Sequence, residues 1–362
     1  MNAGSQNIKN SFDSWRWQLA NPIRTSDDLK RFMAPEVADK WLDKNFSFAS
    51  LPFAVTPYFA SLMNGQSDCP IFFQVVSSKQ ELAPADYELK DPLGEEPRLK
   101  VPHLVHRYPD RVLFLATDRC ASYCRFCTRK RWVGQGPSPQ KDQHEAAFRY
   151  IEQHPSIKEI IFSGGDPLVL SNERLDELFS RAFSIPHIDV VRIHSRMLSF
   201  APMRVDNGLL AVFKKYSPLY LVTHFNHPKE LTSTSLASLQ SLHACGVSLL
   251  NQSVLLRGVN DCPKVLTTLF RTLVKHHTKP YYLHQCDVVE GAQHFRVPLA
   301  RSLEIMQSLR GHISGLLMPT FVIDIPNGHG KVPLVPNPVE GEDAKYVYLK
   351  GFKGEVAAYP KC

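Results

Sequence analysis

The sequence predicts an α/β fold, an incomplete barrel of six strand-then-helix units, the partial (β/α)6 arrangement. Three observations carry this. Short unbroken apolar runs alternate with amphipathic stretches from residue 111 to residue 313, as expected of parallel strands buried on both faces by their crossover helices. The units recur at roughly 30-residue spacing, which is one strand, one helix and two loops. Six units are too few to close the eight-stranded form.

In chain order, residues 1–105 read as an accessory, mostly helical region. Residues 14–19, 26–32 and 35–42 carry helical spacing with Ser or Pro near their starts. Pro52, Pro57, Pro70 and Pro84 punctuate the rest of this region, so long regular elements are not expected there. Residues 106–315 hold the barrel. The first strand, 112–117, leads into a cysteine loop and a helix over 143–154. The second, 159–162, ends in Ser163-Gly164-Gly165-Asp166-Pro167, and its helix spans 171–183 with Ser171 or Asn172 as cap and Glu173 in the first turn. The third, 190–193, ends in His194-Ser195-Arg196 before a helix over 207–216. The fourth, 219–223, ends in His224-Phe225-Asn226-His227-Pro228, and its helix over 233–245 closes at Gly246. The fifth, 247–250, ends in Asn251-Gln252-Ser253 before a helix over 263–276. The sixth, 281–283, ends in His284-Gln285-Cys286-Asp287 before a helix over 298–313. Residues 316–362 form a C-terminal segment that opens with the apolar run 320–323.

Composition narrows the function classes. Of the 362 residues, 43% are apolar and 21% charged, and the net charge is +7, ordinary for a globular protein with a sizeable core. The basic residues are dispersed among acids, so neither a nucleic-acid surface nor a membrane surface is expected. The densest basic group is Arg125, Arg129, Lys130 and Arg131, which suits either a solvated face or an anion site. The N-terminus lacks a signal-peptide pattern and no apolar run reaches the ~20 residues of a spanning helix. The eight cysteines show no disulfide-like spacing, so a reducing, cytoplasmic setting is expected.

Chemistry concentrates at the strand ends. Cys120, Cys124 and Cys127, spaced Cys-x3-Cys-x2-Cys, follow the first strand. Three thiols in eight residues make a metal site, an iron–sulfur cluster or zinc, with one position open to a ligand. Barrels place their reactive groups at the carboxyl ends of the strands. The cysteine loop, Gly164-Gly165-Asp166, His224, Gln252 and Asp287 should therefore share one mouth, although each alone could be a turn or core residue. Lys331 follows Gly328-His329-Gly330 without Walker-type spacing. An exposed loop lysine fits that position, and so does a lysine that binds pyridoxal phosphate (PLP) covalently.

From about residue 106 to residue 337 the chain resembles lysine 2,3-aminomutase, of the radical S-adenosylmethionine (SAM) superfamily. The resemblance lies in His106-Arg107-Tyr108-Pro109-Asp110-Arg111, the cysteine run with Thr128-Arg129, Ser163-Gly164-Gly165-Asp166, Thr223 to Pro228, Asn251 to Asp261, and Asp324 to Lys331. It implies a radical-SAM partial barrel with a C-terminal PLP-binding segment, and three cofactors: a [4Fe–4S] cluster, SAM and PLP. Cys120, Cys124 and Cys127 would hold irons. Gly165 and Asp166 would engage the methionine part of SAM, and His224 and Gln252 its nucleoside part. Lys331 would be the catalytic lysine that holds PLP, with Arg107 and Arg111 on its phosphate. Arg129 would pair with the substrate carboxylate, and Asp287 and Asp324 with the distal ammonium of lysine.

The implied activity is an isomerase reaction that turns L-lysine into β-lysine. Cluster and SAM start the radical chemistry, and PLP carries the migrating amine. Two acids at the distal end favour a free lysine substrate over glutamate. An external electron donor such as flavodoxin or ferredoxin would supply the reducing electron, and assembly as a homo-oligomer is open. Two departures bear on this. His284 stands where lysine aminomutases commonly have Tyr, whereas short relatives that make (R)-β-lysine for elongation factor P have His. The longer aminomutases carry a cysteine-rich tail that binds zinc together with a cysteine matching Cys262. The chain stops at Cys362, so no such zinc site is expected. The alternatives are the elongation-factor relative, an aminomutase for another amino acid, and a radical SAM RNA-modifying enzyme. The last would need none of Lys331, Asp287 and Asp324.

Overall fold

The computed structural model describes residues 12–35, 38, 51–63, 65–66, 68–136, 138–335 and 337–361. Among them, ten strands form one sheet in chain order: β1 (Leu99–Val101), β2 (Leu104–Tyr108), β3 (Arg111–Thr117), β4 (Glu159–Gly164), β5 (Val190–Ser195), β6 (Leu219–Thr223), β7 (Ser248–Leu255), β8 (Thr278–Gln285), β9 (Thr320–Ile325) and β10 (Gly330–Pro333). Strands β3 to β9 pair in parallel. β1 and β2 add antiparallel strands at one edge and β10 at the other. The six predicted units are present, and the run over 320–323 adds a seventh parallel strand. β1 and β10 do not pair, so the barrel stays open.

The crossover helices are Lys141–Glu152, Asn172–Phe183, Asn207–Phe213, Ser233–Ala244, Pro263–Lys275 and Leu299–Leu309. Each buries one stripe, as Leu175, Leu178, Phe179 and Ala182 do for the second, the outcome of 3.6-residue apolar spacing. The Ser171 hydroxyl accepts from the Arg174 N–H at 3.3 Å, the predicted cap. Phe114 links sheet to helix through Phe148, with ring centroids 5.0 Å apart, and meets Phe162 at 5.2 Å. The last helix ends four residues earlier than predicted. Arg310 turns extended, and Gly311 at φ +81° lies against Phe352, where a Cβ would come within 2.3 Å of that side chain.

The region before the barrel holds short helices, Trp15–Ala20, Ser26–Lys30, Pro57–Ser61 and Pro70–Phe73. Most of the helix predicted over 35–42 lies outside the described residues. β2 runs through residue 105. Beyond β10, a separate antiparallel sheet comprises β11 (Val339–Glu342), β12 (Tyr346–Lys350) and β13 (Val356–Pro360). No described helix is long and apolar enough to cross a membrane.

Candidate active site

One cavity of about 810 Å³ runs from the carboxyl ends of the parallel strands through the barrel interior to Arg111, Glu159 and Thr320, the first residues of β3, β4 and β9. Each strand from β3 to β9, or the loop just after it, contributes a polar side chain, and β10 contributes Lys331. All thirteen residues singled out from the sequence line this cavity.

The cysteine loop after β3 is pinned from outside the barrel. Backbone N–H groups of Tyr123 and Arg125 donate to the Ala54 and Gln74 carbonyls at 3.0 and 2.9 Å, and the Ser122 hydroxyl accepts from the Thr56 N–H at 3.0 Å. Burial pushes the Cys120 thiol well above its ordinary range, helped by the Asp166 charge, and raises Cys127 as well. Iron held by these cysteines would oppose that shift by stabilising the thiolates. Among the described residues no three His, Cys, Asp or Glu side chains converge on a single-ion site. Three thiols lining one cavity suit an iron–sulfur cluster, in which each thiolate would bind a different iron. The Arg196 Nη1 donates to the Cys124 Sγ at 2.9 Å.

Beside this loop, the Gly165 N–H donates to the Thr117 carbonyl at 2.6 Å. A Cβ on Gly165 would sit 2.2 Å from the Arg119 carbonyl oxygen, so only glycine lets β4 approach so closely. The Asp166 carboxylate is buried and already taken. It accepts from the Ser195 hydroxyl at 2.7 Å and from the Leu168 and Arg196 N–H groups at 3.0 and 2.8 Å. Its side chain ties β4 to β5 before any ligand arrives. In contrast, the Nε2 atoms of His194 and His224 are buried without a hydrogen-bond partner among the described residues, and burial holds both imidazoles well below their ordinary pKa. The Gln252 Nε2 lies 3.5 Å from the His194 Nδ1.

The antiparallel pairing of β9 with β10 sets Lys331 opposite Asp324. The Lys331 Nζ is 2.5 Å from the Asp324 Oδ2 and 3.4 Å from the His284 Nδ1. Burial works to raise the Asp324 carboxyl, but the His284 hydrogen bond and the Lys331 ammonium outweigh it and hold the group far below the usual range. Asp287 goes the other way, pushed up to about 7 by burial and by the charge of Asp324. The Arg107 Nη2 donates to the Leu93 carbonyl. Its Nη1 is 3.9 Å from the Asp324 Oδ1, and its Nε is buried without a hydrogen-bond partner among the described residues. Arg111 covers the Tyr108 ring at 3.8 Å and donates to the Asp110 carboxylate at 2.7 Å.

Residues 114–267 match the family model for the Radical SAM superfamily, and residues 306–362 match the one for Lysine-2,3-aminomutase. An L-lysine 2,3-aminomutase from Clostridium subterminale is 43% identical over 96% of the chain and 84% of its own length. One from Bacillus subtilis is 42% identical over 97% of the chain and 74% of its own length. A glutamate 2,3-aminomutase from Clostridioides difficile is 36% identical over 95% of the chain and 82% of its own length. The chain belongs to the lysine 2,3-aminomutase family. It is a radical SAM isomerase whose cofactors are a [4Fe–4S] cluster, SAM and PLP.

The cavity of this aminomutase-family chain fits all three cofactors. It offers three thiols, a lysine and, unpartnered among the described residues, two buried imidazole nitrogens and the Nε of Arg107. The basic group in and just after the cysteine loop is mostly structural. Arg125 is buried against Glu81 at 2.6 Å. Lys130 donates to the Arg125 and Glu290 carbonyls at 3.2 and 2.7 Å. Arg131 pairs with Asp91 at 3.0 Å and with Glu96 at 2.9 Å. These three are fastenings and carry no free anion site. Arg129 is held by Glu95, whose carboxylate takes its Nε and Nη2 at 2.7–3.1 Å, while Nη1 reaches Ser163 Oγ at 3.3 Å. Nothing in the local sequence marks Glu95, His194 or Arg196 as site residues, except that the two latter stand at the end of β5.

Proposed function

We propose that this enzyme converts free L-lysine into β-lysine by moving the 2-amino group to carbon 3. The observation that carries the substrate choice is the acid pair Asp287 and Asp324 in the cavity. An alkylammonium, that of Lys331, already rests on Asp324, which supports a site complementary to the distal ammonium of lysine. A substrate with a second carboxylate there would be repelled. Arg129 would bind the substrate carboxylate through the edge that Glu95 leaves open, with the planar donors suited to it. Asp287 and Arg129 would thereby fix the two ends of the chain and orient the carbon between them.

Cys120, Cys124 and Cys127 would hold the cluster. Gly165, Asp166, His224 and Gln252 would form the SAM site. Asp166 would act through its hold on Ser195 and Arg196, and His224 would meet the nucleoside with its free nitrogen. Arg107 and Arg111 would take the phosphate of PLP and Lys331 its carbonyl carbon. The bound cofactors supply the radical and the carrier for the migrating nitrogen. A one-electron donor of flavodoxin or ferredoxin type would reduce the cluster. A second reading, the (R)-β-lysine-forming relative that serves elongation factor P, is favoured by His284, which lies 3.5 Å from the Asp324 Oδ2.

Anaerobic reconstitution with iron, sulfide, PLP, SAM and dithionite, followed by free lysine or glutamate, tests the proposal. β-Lysine that depends on both SAM and PLP is the expected product. Faster turnover of glutamate would overturn the substrate assignment. An (R) product by chiral chromatography would favour the second reading.

A further inference from the structure

We propose that Arg196 is a positioning residue that sets the reduction potential of the iron–sulfur cluster by holding a cationic hydrogen bond on the Cys124 sulfur. The inference rests on the three cysteines carrying that cluster and is independent of which amino acid is the substrate.

Arg196 is only 6% exposed. One arm of its guanidinium donates to the Cys124 Sγ at 2.9 Å. The other donates to the Gln74 Oε1 and, at 3.3 Å, to the Glu230 Oε2. Its backbone N–H donates to Asp166 at 2.8 Å, and the Phe200 ring lies 4.6 Å beneath it. The anchors are themselves locked. Glu230 is completely buried. It accepts from the Ser199 hydroxyl at 2.5 Å, the Gln74 amide at 3.1 Å, and the Asn226 and His227 N–H groups at 3.1 and 3.0 Å. Gln74 in turn accepts from the Asn226 amide at 2.9 Å. A connected buried network of this kind rigidifies its members.

Burying a guanidinium is costly unless it is paired, and here one arm of it faces a sulfur. Reduction of a [4Fe–4S] cluster adds one electron and no proton, so negative charge on the cluster and its thiolates grows. A fixed cation with an N–H on one thiolate stabilises the reduced form more than the oxidised one. The effect is enlarged by the weak screening of a buried site. Arginine stays protonated throughout the accessible pH range.

The test is an EPR-monitored potentiometric titration, with dithionite as electron source, of the reconstituted full chain without substrate. Arg196→Lys keeps a charge but not the planar fork, and Arg196→Gln removes the charge. Both should retain iron and sulfide content. The midpoint should move to more negative values, least for Arg196→Lys and most for Arg196→Gln. Arg204→Gln, a control at a buried arginine that donates to the Leu168 and Leu170 carbonyls, should leave the midpoint in place. Unchanged midpoints in both Arg196 variants would overturn the proposal. So would failure of both to load a cluster, which would make the residue purely structural.

Discussion

Arg129, the proposed partner of the substrate carboxylate, is already held by a carboxylate of its own chain. Glu95 is 4% exposed and grips two of its nitrogens, which fixes the direction in which the remaining nitrogen points. Glu95→Asp keeps the charge and withdraws the carboxylate by one methylene, costing about one charge-assisted hydrogen bond. The KM for lysine should rise about 10-fold with kcat little changed, in steady-state assays of the reconstituted enzyme. Asp287 gives a pH signature. With its carboxyl pushed up to about 7, it is ionised above that pH and attracts an ammonium. Below it the group is neutral and the attraction is lost, so kcat/KM for lysine should fall as pH drops through 7. Asp287→Asn should abolish that limb and lower kcat/KM by about 10²–10³-fold at pH 8. A pH profile of kcat/KM for both proteins checks this. The sequence brings the cysteines, Asp324 and Lys331 to notice because they sit in short motifs, and Asp287 because it follows a strand end; all of them line the cavity. Glu95 and Arg196 go unmarked, since their partners lie 34 and 72 residues away and no local spacing announces such pairs.

At the scale of elements, the segment over residues 78–98 acts as a strap across the barrel mouth. Glu81 pairs with Arg125 of the cysteine loop. The Glu88 carboxylate accepts from the Gly291 and Ala292 N–H groups at 3.0 Å. The Leu89 N–H donates to the Val288 carbonyl at 2.7 Å, and the Asn327 N–H to the Pro92 carbonyl at 3.1 Å. The strap thereby joins the thiol loop, the loop after β8 and the turn before Lys331. Glu81→Ala would leave the Arg125 guanidinium, with no exposed side-chain surface, without its counter-charge. That should destabilise the protein by about 3–5 kcal/mol in urea unfolding. Nothing in the sequence marks this strap. It has no helical or alternating period, and much of its hold is through backbone hydrogen bonds, which any residue can make. The barrel elements were legible because burial imposes a period on them. Their ends were less so: β7 and β8 run on through Asn251-Gln252-Ser253 and His284-Gln285, polar residues read as strand ends. Gln252 and His284 line the cavity, the Asn251 amide donates to Ser253 at 2.9 Å, and the Gln285 amide donates to the Val297 carbonyl at 2.7 Å.

At the scale of the whole molecule, the accessory region and the barrel share one interior. A single apolar cluster runs from Trp15, Leu29, Phe59 and Phe72 into Leu198, Phe200 and the barrel core. Polar ties cross the same boundary. The Trp15 Nε1 donates to Asp206 at 3.1 Å, the Thr56 hydroxyl donates to the Phe200 carbonyl at 2.5 Å, and the Tyr58 hydroxyl meets Thr232 at 2.5 Å. Division at residue 105, natural from the onset of the βα repeat, describes the chain's sequence better than its packing, because periodicity reports which face of an element is buried and not what covers it. The accessory region and the barrel should therefore unfold as one cooperative unit. Tryptophan fluorescence reports partly on Trp15 and Trp17, outside the repeat, whereas far-ultraviolet circular dichroism is dominated by the barrel helices and strands. The two probes should give coincident denaturation curves for the full chain, and Glu81→Ala should shift both midpoints together. An early fluorescence transition that leaves the dichroism unchanged would mean that the accessory region can peel away. The thiol loop would then lose its contacts with Ala54 and Gln74, and cluster loading would fall in step with the first transition.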